Sequence, residues 1–315
     1  MKHLPIWFAT LFLFTFSSSF VFGQEENIVL KTLTGDIDGT LLVPESTESI
    51  PVVLIIAGSG PTDRNGNNAA MENNSLKYLA QALAMNGFAS VRYDKRGIGR
   101  SQDAITKESD YRFEDLMEDV KGWVNLISKD KRFNRIIIAG HSEGSLLGMI
   151  AAENNIKVSA FISIAGAGRP ADQILKEQFK DAPQDVKDVI FPIIDTLKKG
   201  DTTGHVPKFF YSLFRPSVQP YMISWFKYNP QEEIKKLNIP ILILQGTSDL
   251  QVSMEDAHFL AKGNPSSKMA IIDNMNHVLK IIIGDKKANK ASYDNADLPI
   301  ADDLVKAIVY FIMHG

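Results

Sequence analysis

Hydrophobic positions along the chain follow two rhythms. Residues 51–57 are almost continuously apolar and stop at Gly58-Ser59-Gly60-Pro61. Such a run suits a strand buried on both faces, as in a parallel sheet. Strand-like runs recur at 89–93, 135–139, 158–165, 239–245 and 268–272. Between them, apolar residues fall at helical spacing. Leu76, Leu79, Ala80 and Leu83 mark a helix over 75–86, ended by Gly87; Leu116, Val120, Val124 and Ile127 mark another over 113–129. Further helices are predicted over 142–154, 253–262 and 301–313. Upstream, 27–43 reads as strands around the turn-forming pairs Gly35-Asp36 and Asp38-Gly39. This alternation predicts an α/β fold, a mostly parallel sheet flanked by helices. Right-handed crossovers then bring the strand C-termini to one edge, where active sites of open α/β sheets lie.

The alternation breaks between Ala165 and Leu237. This stretch has no strand-like run. It has amphipathic patterns over 172–179 and 184–199, and an aromatic-rich segment over 209–228. The connection is far longer than an ordinary link between strand and helix. It predicts a helical insertion, about 167–236, acting as a cap over the strand edge. Its aromatic residues are candidate pocket walls.

The N-terminus has a pattern of its own. Lys2 and His3 precede an apolar stretch over 6–16, then Ser17, Ser18 and Ser19, then Val21-Phe22-Gly23. A basic start, a short apolar core and small residues describe a secretory signal peptide, with cleavage expected after Gly23. The apolar run is shorter than the roughly 20 residues of a transmembrane helix. A secreted or periplasmic protein with no stable membrane insertion after cleavage is therefore expected, its residues 24–315 forming the folded domain.

Composition narrows the chemistry. The chain of 315 residues is 44% hydrophobic and 23% charged, an ordinary globular balance. The formal net charge of −3, with no long run of one sign, gives no reason to expect nucleic-acid binding. Cysteine is absent, which excludes disulfides, thiol nucleophiles and thiolate zinc sites. Covalent catalysis must use another nucleophile.

Gly140-His141-Ser142-Glu143-Gly144 lies between a predicted strand and a predicted helix. That is the context a Gly-x-Ser-x-Gly nucleophile elbow requires. The turn presents the Ser142 hydroxyl at a helix N-terminus, where the dipole favours developing negative charge. A serine needs a base. Of the six histidines, His277 follows the strand over 268–272, on the edge that carries Ser142. Asp249 follows the strand before it and is the candidate acid that orients His277. Asp94 and Asp273 are also strand-edge acids; Asp94 is read as structural. Backbone N–H donors for an oxyanion are expected from Glu143 and from Ser59, with Gly60 as the nearby alternative.

The segments 57–67 and 94–101, the elbow, 245–252 and Asn276-His277 together resemble the α/β-hydrolase superfamily. They are similar to its bacterial esterase and dienelactone-hydrolase-like branches. The order Ser142, Asp249, His277 is the one that superfamily uses. Where relatives begin the oxyanion loop with histidine-glycine, this chain has Ala57-Gly58. The resemblance implies a serine hydrolase that cleaves small-molecule carboxylic esters through an acyl-enzyme on Ser142, with no metal or organic cofactor. Two alternatives remain at this stage. A peptidase of the same fold would need a group to hold a peptide terminus, for which Arg64 and Arg215 are candidates. A binding protein that has lost catalysis would be expected to lack a triad member.

Overall fold

A computed structural model describes residues 23–315. Apart from Gly23, the expected signal peptide lies outside the described residues. Eight strands form one sheet: β1 (Gln24–Thr32), β2 (Gly35–Val43), β3 (Ile50–Ile56), β4 (Ala89–Tyr93), β5 (Phe133–His141), β6 (Val158–Ile164), β7 (Ile241–Gly246) and β8 (Lys268–Ile272). Their spatial order is β1-β2-β4-β3-β5-β6-β7-β8. β1 and β2 pair antiparallel, as do β2 and β4. From β4 to β8 every pairing is parallel.

Side chains on a strand alternate between faces, and each face has its own core. Val52, Leu54 and Ile56 join Ile136, Ile138, Ile241 and Ile243 in one cluster. It is covered by helices α2 (Phe113–Ile127), α3 (Glu143–Ala152), α8 (Pro230–Lys235) and α9 (Met254–Gly263). Val53, Ile55, Ile137, Leu242 and Leu244 belong to the other. Helices α1 (Ser75–Met85) and α11 (Asp302–His314) cover that face. All ten residues of α3 are buried. Gly148 makes this possible, because a Cβ there would stand 2.8 Å from both Ile138 and Phe161 side chains.

The strand ends are in register. Ile56 pairs with Gly140, His141 with Ile164, Ile164 with Leu244, and Gly246 with Ile272. The loops after β3, β5, β7 and β8 therefore emerge side by side. β5 runs on to His141, past the predicted end at 139, so Ser142 follows the strand directly. β7 starts at Ile241, after Pro240, rather than at 239; proline lacks the N–H a central strand must donate.

Between β6 and β7 the chain forms α4 (Ala171–Gln178), α5 (Gln184–Lys198), α6 (Tyr211–Phe214), α7 (Gln219–Trp225) and α8. Of these, α4–α7 gather a cluster of their own around Ile190, Ile194, Leu197, Phe210, Phe214 and Phe226, while α8 packs on the sheet core. Another short helix, α10 (Lys286–Ala291), was not foreseen from the sequence. Its residues KKANKA have no apolar periodicity, and its N-cap Asp285 carries the signal instead.

Candidate active site

Ser142 sits between β5 and α3 with φ 54° and ψ −120°, a conformation costly for a residue with a side chain. Two glycines make the turn possible. A Cβ on Gly140 would lie 2.2 Å from the Gly144 carbonyl oxygen, and one on Gly144 would lie 2.4 Å from that of Ile56. The Ser142 N–H donates to the Ile164 carbonyl at 2.9 Å, which ties the turn to β6.

The His277 Nδ1 donates to Asp249 Oδ2 at 2.8 Å, and both side chains are at most 5% exposed. Asp249 is held from all sides. Its Oδ1 accepts from the Gln251 and Val252 N–H groups at 2.7 and 2.9 Å, and its Oδ2 also accepts from Gln245 Nε2 at 3.1 Å. Burial alone would raise its pKa. The attraction to a positive charge on the His277 ring and the hydrogen bonds from His277, Val252 and Gln251 outweigh burial, and the pKa is lowered. Asp249 is thus an anion fixed against the ring nitrogen. Gly246 permits the close approach of the two loops, since a Cβ there would lie 2.0 Å from the Met275 carbonyl oxygen. Asn276 anchors the histidine loop: its Nδ2 donates to Asn289 and Ser292 at 3.0 and 2.7 Å, and its Oδ1 accepts from the Lys280 N–H.

His141, read from sequence only as part of the elbow, also reaches this loop. Burial and the charge of neighbouring His277 hold its pKa down to about 3. The ring is therefore neutral. The His277 carbonyl can only accept, so His141 donates from Nε2, at 2.8 Å.

Two cavities meet at Ser142. One, of about 120 Å³, is lined by His141, Ser142, His277, Gly58, Ser59 and polar residues including Thr62, Asn68 and Asn73. The other, of about 310 Å³, also touches Ser59 and Ser142. Its other walls are Gly60, Glu143, Leu146, Gln251 and Val252, with a largely apolar set from the segment after β6, among them Ile174, Leu175, Leu213, Val218, Met222 and Trp225. Larger recesses lie elsewhere, between α1 and α11 and near the start of β7, but neither is lined by Ser142 or His277.

The five expected site residues thus fall into one place. Ser142 and His277 wall the small cavity, Asp249 backs His277, and Ser59 and Glu143 flank Ser142. Glu143 begins α3, so its N–H is one of the orphan donors of a helix start. Among the described residues, the Ser59 N–H donates to no backbone carbonyl. Arg64 does not reach either cavity. It is buried against Asp38 and Asp94 at 2.6 and 2.7 Å. Asp94, as read from sequence, is structural. Arg215 pairs with Glu108 and lines neither cavity. Among the described residues, no group of three or more His, Asp or Glu could hold a metal ion. No helix among them is long and apolar enough to cross a membrane.

The strand order, the elbow at the end of β5 and the Asp249–His277 pair define a serine hydrolase of the α/β-hydrolase fold. Comparison with known proteins agrees. A family model described as serine aminopeptidase, S33, matches residues 69–206. Esterase EstD of Thermotoga maritima is 25% identical over 297 residues, covering 91% of this chain and 68% of that protein. Among solved structures, Est1E from Butyrivibrio proteoclasticus superposes with a TM-score of 0.59 at 16% identity, over 92% of this chain and 99% of that one. A thermophilic esterase from Thermogutta terrifontis gives 0.55 at 17% identity, over 92% and 98%. An acylaminoacyl peptidase from Pyrococcus horikoshii gives 0.54 at 18% identity, over 81% of this chain and 38% of that one. The chain has the α/β-hydrolase fold and is similar to esterases that share it.

Proposed function

We propose that the protein hydrolyses small-molecule carboxylic esters through an acyl-enzyme on Ser142. The observation that carries this reading is that Ser142, strained at the start of α3, walls one cavity with a histidine already paired to a buried carboxylate. The Ser142 hydroxyl attacks the ester carbonyl while His277 Nε2 takes its proton. Asp249 holds the ring and stabilises the imidazolium. The carbonyl oxygen becomes negative and accepts from the Glu143 and Ser59 N–H groups. The tetrahedral intermediate collapses, the C–O bond to the alcohol breaks, and His277 returns the proton to that alcohol. Water then attacks the acyl-enzyme with His277 again as base, releasing the acid and Ser142.

The same chemistry assigns the two cavities. His277 must reach the departing oxygen, so the leaving alcohol occupies the small polar cavity that His277 lines. The acyl group extends the other way, into the 310 Å³ apolar cavity beneath the helices after β6, which act as a cap. An apolar acyl group longer than acetyl, on a small alcohol, fits best. The peptidase alternative is less well supported. Arg64 and Arg215 are both engaged elsewhere, and Arg169, at the cavity wall, is held by Asp256 at 2.8 Å.

Export belongs to the same reading. β1 begins at Gln24, so cleavage after Gly23 would leave the whole sheet intact. Turnover of p-nitrophenyl esters of increasing acyl length by the mature protein, with Ser142→Ala beside it, tests the function. The expected result is activity that rises beyond acetate and vanishes in the variant. Undiminished turnover by Ser142→Ala would overturn it.

A further inference from the structure

Lys95 lies two residues beyond β4, and its side chain is only 5% exposed. A buried ammonium is costly unless its donors are used. Here its Nζ donates to the Gly58 carbonyl and pairs with Glu143 Oε1 at 3.4 Å. The Glu143 side chain, 1% exposed, accepts from the Tyr221 hydroxyl on its other oxygen at 2.8 Å. One chain of contacts therefore runs from α7 in the cap, through the first residue of α3, to the loop after β3.

The end of that chain matters most. Gly58 touches the nucleophile: a Cβ there would lie 3.0 Å from Ser142 Cβ. In a planar trans peptide, the Gly58 carbonyl and the Ser59 N–H point in opposite directions. Whatever fixes the oxygen aims the hydrogen. We propose that Lys95 is a positioning residue of the oxyanion hole, holding the Gly58 carbonyl so that the Ser59 N–H points at the oxygen that becomes negative over Ser142. The cation also polarises that amide, making its N–H a stronger donor. It further offsets the Glu143 carboxylate, which otherwise would place an unpaired negative charge beside the developing one. The inference rests on the acyl-enzyme reading above.

A structural role alone would be to neutralise Glu143, and a double variant separates the two. Turnover of p-nitrophenyl butyrate and affinity for a trifluoromethyl ketone, which mimics the oxyanion, are measured for wild type, Lys95→Met, Lys95→Gln, Glu143→Gln, Lys95→Met/Glu143→Gln and Ser142→Ala. The expected result is a kcat roughly 10- to 100-fold lower in Lys95→Met with KM nearly unchanged, below the full loss of an oxyanion donor. Ketone affinity should fall by the same factor. The double variant should stay impaired, and Lys95→Gln, which keeps a donor without the charge, should recover part of the loss. If Lys95→Met does not fold, the Lys95→Gln comparison carries the test, with kcat and ketone affinity again falling together. Ser142→Ala inactive with Lys95 variants at wild-type kcat and ketone affinity would overturn the positioning role alone. So would recovery in the double variant. Full turnover by Ser142→Ala would instead overturn the acyl-enzyme reading and this inference with it.

Discussion

Around Ser142, one part of the wall comes from short loops at strand ends and the other from helices α4–α8. The loops after β3, β5, β7 and β8 are fixed by backbone contacts that tolerate almost no change, as at Gly140, Gly144 and Gly246. In the proposed mechanism they hold the groups that move protons and receive charge. The helices touch the site through side chains such as Leu213, Val218 and Met222. The cluster gathered by α4–α7 is distinct from the two cores that sandwich the sheet, and Tyr221 and Trp225 join it to one of them. Chemistry and selectivity are thus carried by regions with different tolerances. Substitutions at the strand edge should change rate for every substrate, and substitutions in the helices should change which substrate is preferred.

The largest effect should come from Asp249→Asn. The amide leaves the shape intact but favours the wrong tautomer of His277, and kcat should fall about 10⁴-fold across all acyl lengths. A fall confined to long acyl chains would break the comparison. Next comes the oxyanion loop. Ser59→Pro removes the N–H and should cost roughly 10²- to 10³-fold in kcat, while Ser59→Ala, which keeps it, should stay close to wild type. Equal loss in both would place the role in the hydroxyl rather than the backbone. On the helical side, Leu213→Trp should shrink the apolar cavity. The half-exposed position leaves room for the larger ring. Turnover of longer p-nitrophenyl esters should fall about tenfold or more relative to acetate, with acetate itself little affected. A uniform loss would show that this helix also sets the chemistry.

The smallest effect concerns stability. His141 has a pKa of about 3 in the fold, against 6.5 ordinarily. Between those values the unfolded chain binds a proton that the folded one does not, so stability rises with pH over this window and is lost as pH falls from 6.5 toward 3. The slope from this one group is at most about 1.4 kcal/mol per pH unit. His141→Gln keeps a donor for the His277 carbonyl and should flatten the acid side of the stability profile by up to that amount, read by urea unfolding between pH 4 and 7. Identical slopes would mean that His141 already accepts a proton in the fold.

The same comparison explains what the sequence disclosed. Ser142, Asp249 and His277 each follow a strand with its own hydrophobic signature, and the flanking glycines mark the turn at Ser142. The sheet could be read because a strand buried on both faces is an unbroken apolar run, as at 51–57. The helices after β6 could be counted in part but not placed, because their packing depends on contacts between distant segments. The ion pair of Arg64 with Asp38 and Asp94 joins three separate stretches, so Arg64 looked available for substrate. Lys95 was equally hidden, since only the fold brings it to Gly58 and Glu143. The His141 ring lies inside the motif, yet its partner, the His277 carbonyl, is 136 residues away.

The central claim is that Ser142 is the nucleophile. Its most direct test is intact-mass and peptide analysis after treatment with a p-nitrophenyl phosphonate, alongside residual esterase activity. The account predicts one adduct per chain, on Ser142, forming as activity disappears and absent from Ser142→Ala. An adduct at another residue, or esterase activity that survives with Ser142 fully modified, would contradict it.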